Sequence, residues 1–190
     1  MRRWLCCLSL ALALPVHADW HLDNESSRLS FISTQSGNLS EVHRFLSLDG
    51  RIDDQGLVRL RILLDSVSTG IPLRDQRLRA LLFDVEHYPS ARVEARVSLA
   101  AITQLAPGAQ LELRLPLTVK LHGREQTLRA ELLVTRLDDR RFQVVTLAPL
   151  VLHAGDFGLA EGIEALRKLT DIRAISQAVP VGAVLIFVAR

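Results

Sequence analysis

Cysteine occurs only at positions 6 and 7, aromatic residues make up 5% of the 190, and no apolar run reaches the roughly 20 residues of a membrane-spanning helix. Each scarcity excludes something. The apolar stretch over residues 4–16 follows Arg2 and Arg3 and ends at Val16-His17-Ala18, the small-x-small form of a cleavage site. It reads as an export signal cut after Ala18. The residues before Cys6 are Arg3-Trp4-Leu5, not the small residues that precede a lipid-modified cysteine. Cleavage leaves 172 residues without any cysteine, which excludes disulfides, a thiol nucleophile and thiolate metal sites. An exported chain of that length must be held by its core, and it buries about 70% of its unfolded surface as one domain. Residues 19–190 are therefore expected to form a single domain.

An excess of either charge is missing as well. Loss of Arg2 and Arg3 lowers Lys and Arg from 23 to 21, equal to the 21 Asp and Glu. A balanced chain has no basic stripe for a phosphate backbone, so nucleic acid is excluded as a partner, and nothing invokes an anionic membrane surface. The five histidines after the signal, His21, His43, His87, His122 and His153, never fall three to five residues apart, so no metal site is expected. No serine sits in a nucleophile elbow, and no glycine-rich loop opens a helix after a strand. Asp156-Phe157-Gly158 spells a kinase metal-binding tripeptide without the rest of that signature, and it is read as coincidence. No catalytic residue and no cofactor are expected.

What is present is alternation. Val58, Leu60, Ile62 and Leu64 alternate with more polar neighbours, as do Ala91 to Val97, Leu111 to Leu121, Leu128 to Val134 and Phe142 to Ala148. Upstream, residues 29–34 read as a strand. Residues 42–52 read as another, with Leu46, Leu48, Gly50 and Ile52 on one face and Phe45, Ser47, Asp49 and Arg51 on the other. Pro116 falls on the outward face of the longest alternation and marks a bend or an edge. Residues 178–188 form a final apolar strand. Two segments change period to that of a helix: residues 159–175, and a short one within residues 65–89, between the turn formers ending at Gly70 and Pro89.

In the second of these, Leu78 and Leu82 share a face, and Arg74 and Asp75 border it. A buried guanidinium needs a partner, and Asp75, Asp65 and Asp156 are the candidates. Two readings stand: an ion pair pinning the helix across the end of a β structure, or a site for a ligand head group.

About eight antiparallel strands and two short-to-medium helices describe a mainly β, closed barrel. At eight strands the interior is either packed with its own side chains or encloses one slender apolar ligand. A packed barrel would serve as an interaction or stress-response module. A third reading, a lipid-ester hydrolase, would use His87 or His153 with a distant carboxylate.

The ordered residues resemble a known family. Trp20-x-Leu22-Asp23, Ser27-x-Leu29-x-Phe31, Phe45-x-x-Leu48-x-Gly50-x-Ile52, Ser66-Val67-x-Thr69-Gly70, Arg74-Asp75-x-x-Leu78, Phe83-x-Val85 and Tyr88-Pro89 resemble the YceI-like, polyisoprenoid-binding periplasmic proteins. Leu115-x-Leu117-x-Val119-x-Leu121-x-Gly123 and Asp156-Phe157-Gly158-Leu159 extend the resemblance over nearly all of residues 19–190. Many members have His-Ser where this chain has Ser26-Ser27, and an arginine where it has His153-Ala154-Gly155. The resemblance implies a periplasmic, lipocalin-like antiparallel barrel whose tunnel holds a long isoprenoid or similar lipid tail, and by family analogy a homodimer. The candidate ligand-binding residues are Phe31, Leu60, Ile62, Val93, Leu113, Leu115, Leu117, Leu132 and Phe187 on the wall, with Arg74 and Asp75 near the mouth.

Overall fold

The computed structural model describes residues 19–170 and 172–190; the expected export signal, residues 1–18, lies outside them. In chain order the elements are strands β1 (Trp20–Leu22), β2 (Arg28–Gln35), β3 (Leu39–Phe45), β4 (Leu48–Ile52), β5 (Leu57–Leu63) and β6 (Val67–Ser68). Helix α1 (Pro72–Arg77) follows, continued by a wider π turn over Leu78–Phe83, then β7 (Ser90–Arg96), α2 (Leu99–Thr103) and β8 (Gln110–Leu121). The chain ends with β9 (Arg124–Asp138), β10 (Arg141–Thr146), β11 (Leu150–His153), α3 (Ala160–Thr170) and β12 (Ala178–Ala189).

Eight strands close a ring in the order β1-β4-β5-β7-β8-β9-β10-β12, and β12 returns to β1 through Trp20↔Ala189 and Leu22↔Phe187. All pairings are antiparallel, as short connections allow. The β8–β9 turn shows why: His122 and Gly123 both adopt positive φ, 51° and 73°, the two-residue geometry whose twist matches that of the strands it joins. Pro116 sits on β8 just beyond the last pair with β7, Glu94↔Thr118, so its missing N–H falls where β8 has lost that neighbour.

Four long strands are broken at one level, and at each break a side chain replaces lost backbone partners. Between β1 and β2, the buried Ser27 hydroxyl donates to the Asp23 carbonyl (2.6 Å) and accepts from the Ile186 amide (3.0 Å). Between β3 and β4, the Asn24 carboxamide accepts from the Leu48 amide (2.6 Å) and donates to the Leu46 carbonyl. Ser66, between β5 and β6, accepts from the amides of Leu46 and Ser47. At the end of β10, Thr146 accepts from the Ala183 amide. Beyond this seam β2, β3, β6, β11 and the first half of β12 continue as an upper sheet.

The lower end is closed. Trp20, Ile52, Ile102, Val134, Phe142 and Phe187 form one buried cluster, with the Trp20 and Phe142 rings 4.7 Å apart. Arg136 lies over the Trp20 ring at 5.3 Å and donates to the Asp139 carbonyl. At the upper end, α1 with its π turn and α3 pack over the barrel. Gly162 of α3 sits so close that a Cβ there would lie 2.6 Å from the Leu81 carbonyl oxygen.

Three local expectations are corrected. The strand over residues 42–52 is not continuous: the break at Leu46-Ser47 inserts an odd step, so Phe45 turns inward while Leu46 is 53% exposed. The helix expected over 159–175 ends at Thr170, because the backbone beyond pairs with the tip of β2 through Ser36 N–H to Ala174 and Ser176 N–H to Thr34. Among the described residues there are three α-helices, not two: α2, capped by Ser98, buries Ile102 against the closed end.

Candidate functional site: an apolar cavity in the barrel

Alternation turns one face of every strand inward, and the size of those side chains decides whether space remains. β5 contributes Val58, Leu60 and Ile62, β8 contributes Leu113 to Leu121 at alternate positions, and β9 contributes Leu132 and Val134. Among these, small residues leave room on the wall: Ala91 and Ala95 on β7, between β5 and β8, and Gly182 and Ala183 on β12 across the ring from β7. The barrel is consequently not filled by its own side chains. A cavity of about 250 Å³ runs from Ile52, Ile102 and Phe142 at the closed end to Leu82, Phe83, Phe157, Leu159 and Ile163 beneath the helices. The stretch of β8 that lines it covers roughly 27 Å of strand, or about 20 Å of barrel axis at the usual tilt.

The wall is apolar almost throughout. Thr146 is the one lining residue with a polar side chain, and its hydroxyl is held by the Ala183 amide. A cavity with such walls stays dry, because water needs two to four polar partners to enter.

The structure brings nine of the sequence-derived candidates, Phe31, Leu60, Ile62, Val93, Leu113, Leu115, Leu117, Leu132 and Phe187, around this one space. Arg74 and Asp75 stand outside its lining. The sequence reading did not single out Phe45, hidden by the phase slip at the break, or Leu82, Phe157 and Ile163, which helical segments bring over the end. Period alone places a helical residue on an apolar face without saying what that face covers.

Past Phe31 and Phe45 the inward face of β2 and β3 turns polar, with Ser33 and Gln35 on one strand and His43 and Glu41 on the other. Arg74 reaches this patch from α1. Its terminal nitrogens donate to Glu41 Oε2 (2.6 Å) and Oε1 (3.3 Å), and Nη2 also donates to the Thr69 carbonyl (2.9 Å). The partner of Arg74 is therefore none of the three expected aspartates but a glutamate 33 residues upstream, whose distance in sequence hid it. Asp75, buried, instead accepts from the Thr69 amide (2.8 Å) and hydroxyl, holding the start of α1. The hydrogen bond from Arg74 holds the Glu41 carboxyl below the usual range.

His43 is 4% exposed. Its Nε2 is 2.8 Å from the Ser33 hydroxyl, and its ring meets Phe31 edge-on at 5.3 Å between centroids. Burial pushes its pKa down, with Arg74 adding to the effect. Nδ1 of His43 and Nε of Arg74 are buried without a hydrogen-bond partner among the described residues.

The two histidines expected for a hydrolase stand away from the cavity. His87 is exposed and paired with Asp84, His153 is exposed on β11, and neither lines the cavity. Among the described residues no group of three His, Cys, Asp or Glu is placed to hold a metal, and no helix is long and apolar enough to cross a membrane.

A closed eight-stranded antiparallel barrel with a dry apolar interior defines the lipocalin-like class. Within that class, the YceI-like domain model matches residues 20–187, and the chain belongs to this family. A polyisoprenoid binding domain from Saccharophagus degradans, implicated in plant cell wall breakdown, is 38% identical over 90% of this chain and 98% of its own, with a TM-score of 0.88. BcnA of Burkholderia cenocepacia shares the fold at 19% identity, covering 87% and 98% of the two chains, with a TM-score of 0.65. The YceI protein of Campylobacter jejuni does so at 14%, covering 78% and 84%, with a TM-score of 0.55. No curated protein matches the chain.

Proposed function

We propose that this protein is a periplasmic carrier or sequestering protein for a long apolar lipid, an isoprenoid quinone or another polyprenyl compound, and that it performs no catalysis. The observation that carries this reading is the cavity: about 250 Å³ of dry, apolar, elongated space inside a barrel closed at its lower end. Such a space takes a single chain and offers it no specific polar partner along its length, so affinity comes from burying methylenes, about 0.8 kcal/mol each. The sequence likeness to a polyisoprenoid binding domain supports the isoprenoid class. The expected export signal supports a location outside the cytoplasm.

The nine wall residues contact the tail in this reading, with Arg74 and Asp75 beyond its upper end. A homodimer is part of the proposal only by analogy within the family. Protein purified from its native compartment without detergent, extracted with organic solvent and analysed by mass spectrometry, is expected to release close to one isoprenoid lipid per chain. Release of no lipid, from protein that added lipid does not stabilise, would refute the carrier reading.

A further inference from the structure

Resting on the carrier reading, the polar patch at the upper end bears on which head group the cargo has. We propose that Ser33, His43, Glu41 and Arg74 form a head-group site that selects a long-tailed lipid with an uncharged, oxygen-bearing head, a quinone or a polyprenyl alcohol, over the phosphorylated form of the same tail.

Position comes first. His43 stands on β3 two residues from Phe45 and directly across from Phe31, and both phenyl rings line the cavity. The cavity lining ends at these rings, and a tail that extends past them comes next to the imidazole. The change from phenyl to polar side chains on one continuous strand face marks where tail gives way to head.

Charge decides the class of head. Phosphate and diphosphate are held by cationic forks with free N–H groups. Arg74 is the cation of this patch, and its bidentate fork is already taken by the two oxygens of Glu41, with Nη2 donating also to the Thr69 carbonyl. An anionic head would have to displace a carboxylate from that fork and then lie beside it. Asp75, bound to Thr69 one turn away, adds a second carboxylate. His43 supplies no compensating charge, because its burial disfavours the imidazolium.

What the patch has left is hydrogen bonding. His43 Nδ1 and Arg74 Nε each have one unmade bond while buried, a condition folded proteins rarely leave unmet. With Nε2 engaged by Ser33, Nδ1 donates to a carbonyl in one tautomer and accepts from a hydroxyl in the other. Arg74 Nε donates to either. Both nitrogens are covered in this structure, so a head group reaches them by displacing the side chains over them, and a neutral oxygen then meets these needs without displacing the Glu41 carboxylate.

The test uses the delipidated chain and three ligands of equal tail length: a polyprenol, its monophosphate and the hydrocarbon without a head, compared by native mass spectrometry and thermal shift. The polyprenol is expected to bind at least tenfold more tightly than the monophosphate and several-fold more tightly than the hydrocarbon. Glu41→Gln, which removes the negative charge and one of the two acceptor oxygens from the Arg74 fork, is expected to narrow the first gap by strengthening binding of the phosphate. Equal or tighter binding of the monophosphate to the unmodified chain would overturn the proposal, and this ranking decides even if Glu41→Gln fails to fold. Equal binding of polyprenol and hydrocarbon would overturn the head-group site and leave the carrier reading standing. Binding of none of the three would overturn both.

Discussion

A cavity of about 250 Å³ left unfilled in an otherwise packed barrel would be a large thermodynamic defect. Unfilled volume in protein cores costs on the order of 24 cal/mol per Å³, so the vacant cavity forgoes about 6 kcal/mol of packing. Burying roughly eight methylenes gives the same magnitude. Because a whole domain is stable by only about 5–15 kcal/mol, a lipid tail bound there would supply a large share of the stability of the complex. Removing it by solvent exchange or on a hydrophobic resin is expected to lower Tm by about 12–24 °C for a chain of this length, followed by circular dichroism. Adding back a polyprenyl lipid is expected to restore it, while a short-chain alcohol at equal concentration is not. A difference below about 3 °C between extracted and reloaded protein would refute the reasoning, since it would mean that the barrel collapses around the space.

Other outcomes follow from named contacts. Gly56→Ala places a Cβ 2.0 Å from the Val97 carbonyl oxygen at a residue with φ of 72°, and is expected to cost about 3 kcal/mol in urea denaturation; a loss below about 1 kcal/mol would contradict the geometry. Glu41→Ala removes the bidentate partner of a partly exposed arginine; allowing for solvent screening it is expected to cost roughly 1 kcal/mol and to speed amide exchange in α1. His43 is pushed below its ordinary pKa, so as pH falls the unfolded chain takes up the proton first. Its contribution to stability is full above about pH 6.5 and is lost as pH drops below that value. His43→Gln is expected to flatten stability against pH below about pH 6.5 in denaturation curves, and an unchanged slope would exclude His43 as the cause. His87, raised by Asp84, acts in the opposite sense on a fully exposed ring.

The barrel wall was legible because period 2 is a direct consequence of strand geometry, and a residue such as Leu117 declares its face through Leu115 and Val119. The breaks were not. Ser27, Asn24 and Ser66 take over backbone bonds at positions where a polar residue also reads as an ordinary outward one, so the slip that turns Phe45 inward left no mark in the pattern. Arg74 announced that it needed an acid. Which acid depended on β3 meeting α1 in space, and the spacing of 33 residues carries no local signal. Helix α2 was missed because five residues give barely more than one turn of periodicity.

The seam of side-chain-bridged breaks divides the barrel into two storeys with different mechanical characters. Below it, the ring is sealed by continuous backbone ladders and an aromatic floor. Above it, β2 and β11 are held by backbone ladders to β12, which runs unbroken through both storeys, while β3 and β6 meet the ring below through the Asn24 and Ser66 bonds. Lifting the β3–β6 edge away from the ring therefore breaks a few local bonds and leaves the lower ring's register untouched. A long chain could be threaded in from that side, as a foot enters a boot whose shaft is laced and whose sole is moulded in one piece. Entry of such a chain would then need no global unfolding.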